Sequence, residues 1–244
     1  MNRHVGLSYV VALATLAAPL QCAAAAPSAQ VFIDNGELVY VGTLSEEANR
    51  QAFALFDSEQ DKPVILSIRS KGGPTQAGMD LGRWVHANGM TVKVMEYCFS
   101  SCANYVFTAA PRKIVSNFAV VGYHGGLSSA TFQLDDEQEA ILKAMPADQR
   151  QAARAQLVQA IRQAVAPQAE AERLFFSLIG VQQRITTLGQ VLNGTHDKNS
   201  KSVGWTYSEA DFSKLGVRNI RVINPPWRPS FVNTDTSVVL FKVR

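Results

Sequence analysis

Residues 63–95, PVILSIRSKGGPTQAGMDLGRWVHANGMTVKVM, decide how the rest of the 244-residue chain is organised. Pro63–Ser70 (PVILSIRS) is a short apolar run of the buried-strand type, and Gly72-Gly73-Pro74 stops it. Thr75–Asn88 then carries Met79, Leu81, Trp84 and Val85 as the apolar positions of a helix. Met90–Met95 (MTVKVM) returns to a strand pattern. Strand, helix and strand in this order predict a βαβ unit: two parallel strands joined by a right-handed crossover.

The flanks extend the same scheme. Upstream, Gln30–Asp34 and Leu38–Leu44 surround the Asn35-Gly36 pair and predict a hairpin. Thr43 and Glu46 form a candidate capping box for a helix from Ser45 to about Phe56. Downstream, Ser100–Ala110 reads as a small-residue helix, followed by strands near Lys113–Val115 and Ala119–Tyr123. The succession predicts an α/β fold with a mainly parallel sheet. After Gly126 the composition shifts: Leu134–Gly180 is rich in Ala, Gln, Glu and Arg, and Pro146 and Pro167 predict its division into three helices. Asn193–Gly204 is a polar loop, Ser208 caps a short helix ending before Gly216, Arg218–Ile223 is a strand and Val238–Val243 an edge strand.

Hydrophobic residues at 47% and charged residues at 18% are a globular composition, which excludes disordered, collagen-like and coiled-coil classes. The net charge of +3 is small and the basic residues are scattered, so no nucleic-acid partner is expected. Residues 1–26, MNRHVGLSYVVALATLAAPLQCAAAA, hold a basic Arg3, an apolar stretch from Val5 to Leu20 and then small residues. This pattern predicts a secretory signal, residues 1–25, cleaved after Ala25, rather than a membrane anchor. Gln21 before Cys22 is a poor match to a lipidation site. The expected location is therefore an exported, periplasmic one, with no membrane span after cleavage. The mature chain keeps Cys98 and Cys102, in CFSSC, and an oxidising compartment favours a disulfide between them; two buried thiols are the alternative. No His or Asp lies near them in sequence to complete a metal shell, and no metal site is expected.

Three features carry candidate chemistry. Ser70-Lys71-Gly72-Gly73 follows a buried strand and precedes a helix, where paired glycines let backbone N–H groups converge as in an oxyanion hole. Its plain reading is an ordinary strand-to-helix turn. Ser100-Ser101-Cys102-Ala103 opens a helix, where a serine is either a cap or, with a base beside it, a nucleophile. His124, in Gly122-Tyr123-His124-Gly125-Gly126, ends a strand at the sheet edge where functional loops of α/β folds gather. A solvated loop histidine is the bland alternative.

In their order, these pieces resemble the proteolytic subunit of the Clp protease family, within the wider Clp/crotonase superfamily. Gly72 precedes Ser101 by 29 positions, which matches the family, and His124 follows it by 23, shorter by about one small loop. CFSSCANYVF with YHGG resembles an exported bacterial branch, and Ser208–Val217 (SEADFSKLGV) is similar to the family's C-terminal motif. The resemblance implies a ββα spiral with a core of residues 30–126 and 205–224. Residues 134–192 would be a helical insert in the same domain and 225–244 a tail. Aligning Phe107-Thr108-Ala109-Ala110 with the family's apolar helix selects Ser101 over Ser100 as nucleophile. The resemblance further implies His124 as base and the amides of Gly72 or Gly73 and of Cys102 as oxyanion donors. For the third triad member, Asp197 is the only carboxylate in the matching stretch; Glu172, Asp211 or a dyad without an acid are the alternatives.

The implied activity is an exported, ATP-independent serine hydrolase, a peptidase, without cofactor, acting on a peptide or protein substrate and assembling as a homo-oligomer through the helical insert. A catalytically silent Clp-like protein that binds peptides or partners is the main rival. Acyl-thioester chemistry of the crotonase type is a third reading, disfavoured by export away from coenzyme A.

Overall fold

The alternation of strands and helices read from residues 63–95 recurs along the chain in the computed structural model, which describes residues 29–129, 134, 136–190, 203–229 and 238–243. The expected signal segment and Asp197 lie outside these residues. Strands β1 (Gln30–Asp34) and β2 (Glu37–Val41) form the expected antiparallel hairpin. Helix α1 (Glu46–Ser58), β3 (Ile65–Arg69), α2 (Thr75–Ala87) and β4 (Thr91–Val94) follow. Next come β5 (Tyr97–Phe99), a π-helix (Cys102–Phe107), β6 (Arg112–Ser116) and β7 (Val120–Gly122). Helices α3 (Asp136–Ala144) and α4 (Ala147–Ile179) precede β8 (Gly204–Tyr207), α5 (Glu209–Lys214), β9 (Ile220–Ile223) and β10 (Val238–Phe241).

Six strands form one sheet in the order β1-β2-β3-β4-β6-β9, parallel throughout except for the hairpin. The α/β class with a mainly parallel sheet is thus the observed architecture. Leu38, Leu66, Val92, Lys113 and Ile220 are in register along one row facing the core. The lysine in that apolar row is buried, donates to the Arg218 carbonyl at 3.2 Å, and has its pKa pushed down to about 8 by burial. A second, smaller set of strands stands beside the first. β5 pairs with β7 in parallel, Ser70 bridges to Cys98, and Tyr123 bridges to Trp205 of β8, which pairs with β10.

Several expectations need correction. Ser45, not Thr43, caps α1: its side chain accepts from the Ala48 amide. Pro167 does not divide this stretch into a third helix; α4 runs through it for 33 residues. Residues 163–168 are mostly exposed, so water can take the carbonyl that the missing proline N–H leaves free. Among the described residues, no helix is long and apolar enough to cross a membrane.

Packing of α2 on the π-helix fixes the depth of the site. Gly78 and Gly82 face Tyr105 and Ser101; a Cβ at Gly82 would lie 2.5 Å from the Tyr105 carbonyl oxygen. Gly82→Ala gains about 1 kcal/mol of helix propensity, yet it forces backbone apart in a packed core at a cost of about 1–3 kcal/mol. Denaturant unfolding should show a less stable protein; equal or greater stability would contradict this close packing.

Candidate active site

Ser100 sits where β5 turns into the π-helix, and its φ is +56°. This left-handed conformation is unusual for a residue with a Cβ and marks a position where surrounding structure imposes the backbone. Its amide donates to the Gly122 carbonyl at 2.9 Å, and its own carbonyl accepts from the Asn104 amide at 2.8 Å. On the N-terminal side, the Phe99 amide donates to the Ser70 carbonyl at 2.9 Å. The Cys98–Cys102 disulfide closes over the turn from strand to helix, as the sequence led us to expect, and both cysteines are buried.

The opposite wall of the turn is Gly72. Its φ is +98°, and a Cβ there would come within 2.8 Å of the Phe99 carbonyl oxygen and 2.9 Å of the Ser101 nitrogen. Only glycine permits both this backbone and this approach. The Gly72 N–H is already committed to the Ser70 hydroxyl at 3.0 Å. Among the described residues, the N–H groups of Gly73 and Ser101 have no acceptor.

His124 follows β7 and directs Nε2 to the Ser100 hydroxyl at 2.7 Å. It is Ser100, half-exposed, that the fold brings to the histidine, and not Ser101. The neighbouring serine turns inward: Ser101 is 4% exposed and donates to the Gly73 carbonyl at 2.8 Å, tying the glycine turn to the head of the helix. A left-handed residue at position 100 reverses which of two adjacent side chains faces outward, a reversal that residue types and spacing do not reveal.

The Phe99 ring stacks on His124, with centroids 5.8 Å apart and planes 20° from parallel. His124 keeps an exposed edge, and partial desolvation on the Phe99 side lowers the imidazole pKa from its ordinary value. A neutral imidazole can accept the serine proton, and a depressed pKa keeps it neutral to lower pH. Beyond His124, Asn104 donates to the Gly125 carbonyl at 2.8 Å and Glu172 accepts from the amides of Leu127 and Ser128 at 3.3 and 3.2 Å. Among the described residues, no carboxylate hydrogen-bonds to His124. Glu172 is engaged with this following loop, and Asp211 accepts from Ser208 and Lys214 at the start of α5. Sequence reasoning missed Phe99 and Asn104. Only the flanking CFSSC pattern, which implies a tight bend between its cysteines, pointed toward them.

Among the described residues, no group of three or more His, Cys, Asp or Glu side chains forms a metal site. Arranged this way, the site can transfer a proton from a serine hydroxyl to an imidazole beside unsatisfied amides.

No family model and no curated protein matches the chain. Among solved structures, an enoyl-CoA hydratase from Thermoplasma volcanium GSS1 is similar over 37% of this chain, at 9% identity and a TM-score of 0.29. This chain spans about half, 49%, of that hydratase. A mutant of the 1510-N membrane-bound stomatin-specific protease is similar over 84% of this chain and 96% of its own, at 10% identity and a TM-score of 0.40.

In an NMR titration, His124 should protonate with a midpoint below the ordinary histidine value of about 6.5. Phe99→Ala, which uncovers one ring face, should raise that midpoint. A wild-type midpoint at or above the ordinary value would contradict the desolvated setting.

Proposed function

We propose that this protein is an exported serine hydrolase acting without ATP on peptide or protein substrates, with Ser100 as nucleophile and His124 as general base. One observation carries the reading: the 2.7 Å contact between Ser100 Oγ and His124 Nε2, at a serine held in a left-handed turn. A nucleophile on a sharp strand-to-helix turn, with a base in hydrogen-bond reach, is the arrangement that activates a hydroxyl.

Ser100 Oγ attacks the carbonyl as its proton passes to His124 Nε2; the imidazolium then protonates the leaving group, and water repeats the sequence to release the acyl product. The amides of Gly73 and Ser101 receive the oxyanion. Gly72 and Cys102 leave that role, the first because its N–H is bonded to Ser70, the second because the amide after Ser100 is that of Ser101. Ser101 serves as a structural tie to Gly73. Asp197 remains the candidate to orient His124. The Clp-like order of motifs supports a peptide substrate, and the Cys98–Cys102 disulfide agrees with export to an oxidising compartment. Assembly as a homo-oligomer through the 134–192 insert belongs to the same reading.

One observation favours the rival, a catalytically silent peptide-binding protein: the lack, among the described residues, of a carboxylate on His124. Fluorophosphonate labelling of the oxidised protein, read by peptide mapping, separates the two. Labelling should be stoichiometric on Ser100, abolished in Ser100→Ala, retained in Ser101→Ala, and about 10²–10⁴-fold slower in His124→Ala. No adduct on the folded wild-type protein would favour the silent reading.

A further inference from the structure

α4 is about 50 Å long at 1.5 Å per residue, and most of residues 147–170 is exposed. Its root is different. Phe175 and Phe176 are buried against Tyr105, and Glu172, on the same turn, is 0% exposed. A buried carboxylate is expensive unless its oxygens are satisfied, and here four donors converge on it. Tyr105 donates its hydroxyl to Oε1 at 2.7 Å, and the Leu127 amide reaches the same oxygen at 3.3 Å. Gln183 donates to Oε2 at 2.7 Å, joined there by the Ser128 amide at 3.2 Å. All four are neutral.

These partners belong to the two halves of the site. Tyr105 is in the π-helix that follows Ser100, while Leu127 and Ser128 are in the loop that follows His124. The loop passes so close that a Cβ on Gly126 would lie 2.9 Å from Glu172 Oε1. We propose that Glu172 is a positioning residue: from the root of α4, its carboxylate fixes the loop after His124 and the helix after Ser100, and so sets the contact between base and nucleophile. This proposal rests on the serine-hydrolase reading and adds a residue that touches neither the serine nor the histidine.

Glu172→Gln nearly preserves volume but replaces one acceptor oxygen by a donor. Tyr105 and Gln183 can reorient, whereas the amides of Leu127 and Ser128 cannot. Whichever way the new amide turns, one backbone N–H of the histidine loop loses its acceptor. In folded Glu172→Gln, checked by circular dichroism, fluorophosphonate labelling of Ser100 should slow by about 10–100-fold, the scale expected for a displaced reactive group. The His124 midpoint in an NMR titration should rise as the loosened ring gains water. Wild-type labelling per folded molecule with an unmoved midpoint would overturn the proposal, even if the variant melts earlier, because that is what a purely structural role gives. If Glu172→Gln does not fold, Tyr105→Phe and Gln183→Met each remove one donor and should shift both readings the same way by less; no shift in either variant overturns it. If wild-type protein takes no label, the hydrolase reading fails, and the His124 midpoint alone decides for or against the positioning role.

Discussion

The left-handed turn at Ser100 is the constraint around which this end of the molecule is arranged. A non-glycine residue in that conformation costs on the order of 1–3 kcal/mol, and the neighbouring structure offsets it from every side. Ser70 and Gly122 hold the strand that enters the turn and the residue at its tip, and Asn104 closes the first helical hydrogen bond. Cys98 and Cys102 join the two ends covalently. Gly72 gives up a side chain so that Phe99, Ser100 and Ser101 can press against its backbone. The return for this arrangement is that one serine faces outward and its neighbour faces in.

The larger sheet sets the stage for the smaller one. Its parallel strands bring the chain repeatedly to the same edge, and from there Ser70, β5 and β7 build a second layer of short strands. His124 emerges from β7 one residue past the bridge to β8, with Phe99 against its ring. A serine just after one short strand and a histidine just after its neighbour are thus held in register by the backbone pairing of β5 with β7, to which their own side-chain contact adds. This explains how the pair stays together although the residues are 24 positions apart.

Much of this was legible in the sequence. The βαβ unit followed from apolar runs punctuated by Gly72-Gly73-Pro74, the cysteine pairing from the CFSSC spacing read with an expected export, and the placement of His124 from its position at a strand end. The choice between Ser100 and Ser101 was not legible, since no residue type announces a left-handed serine and one position reverses the outward face. β5 escaped notice because three residues make too little pattern to read, and β8 because it depends on a partner distant in the chain, whereas its partner β10 falls in the edge strand expected at Val238–Val243. Pro167 misled because an exposed helix tolerates a missing hydrogen bond. Lys113 in a core row and Glu172 at the root of α4 are polar residues whose burial arises only from tertiary packing.

In the proposed reaction the outward-facing serine, and not its inward neighbour, performs the chemistry. A crystal structure of the protein after reaction with a fluorophosphonate tests it most directly. Phosphorus should be bonded to Ser100 Oγ, with a phosphoryl oxygen on the amides of Gly73 and Ser101 and the Ser101 hydroxyl still on the Gly73 carbonyl. Phosphorus on Ser101, or an oxidised and folded protein that carries none, would contradict it.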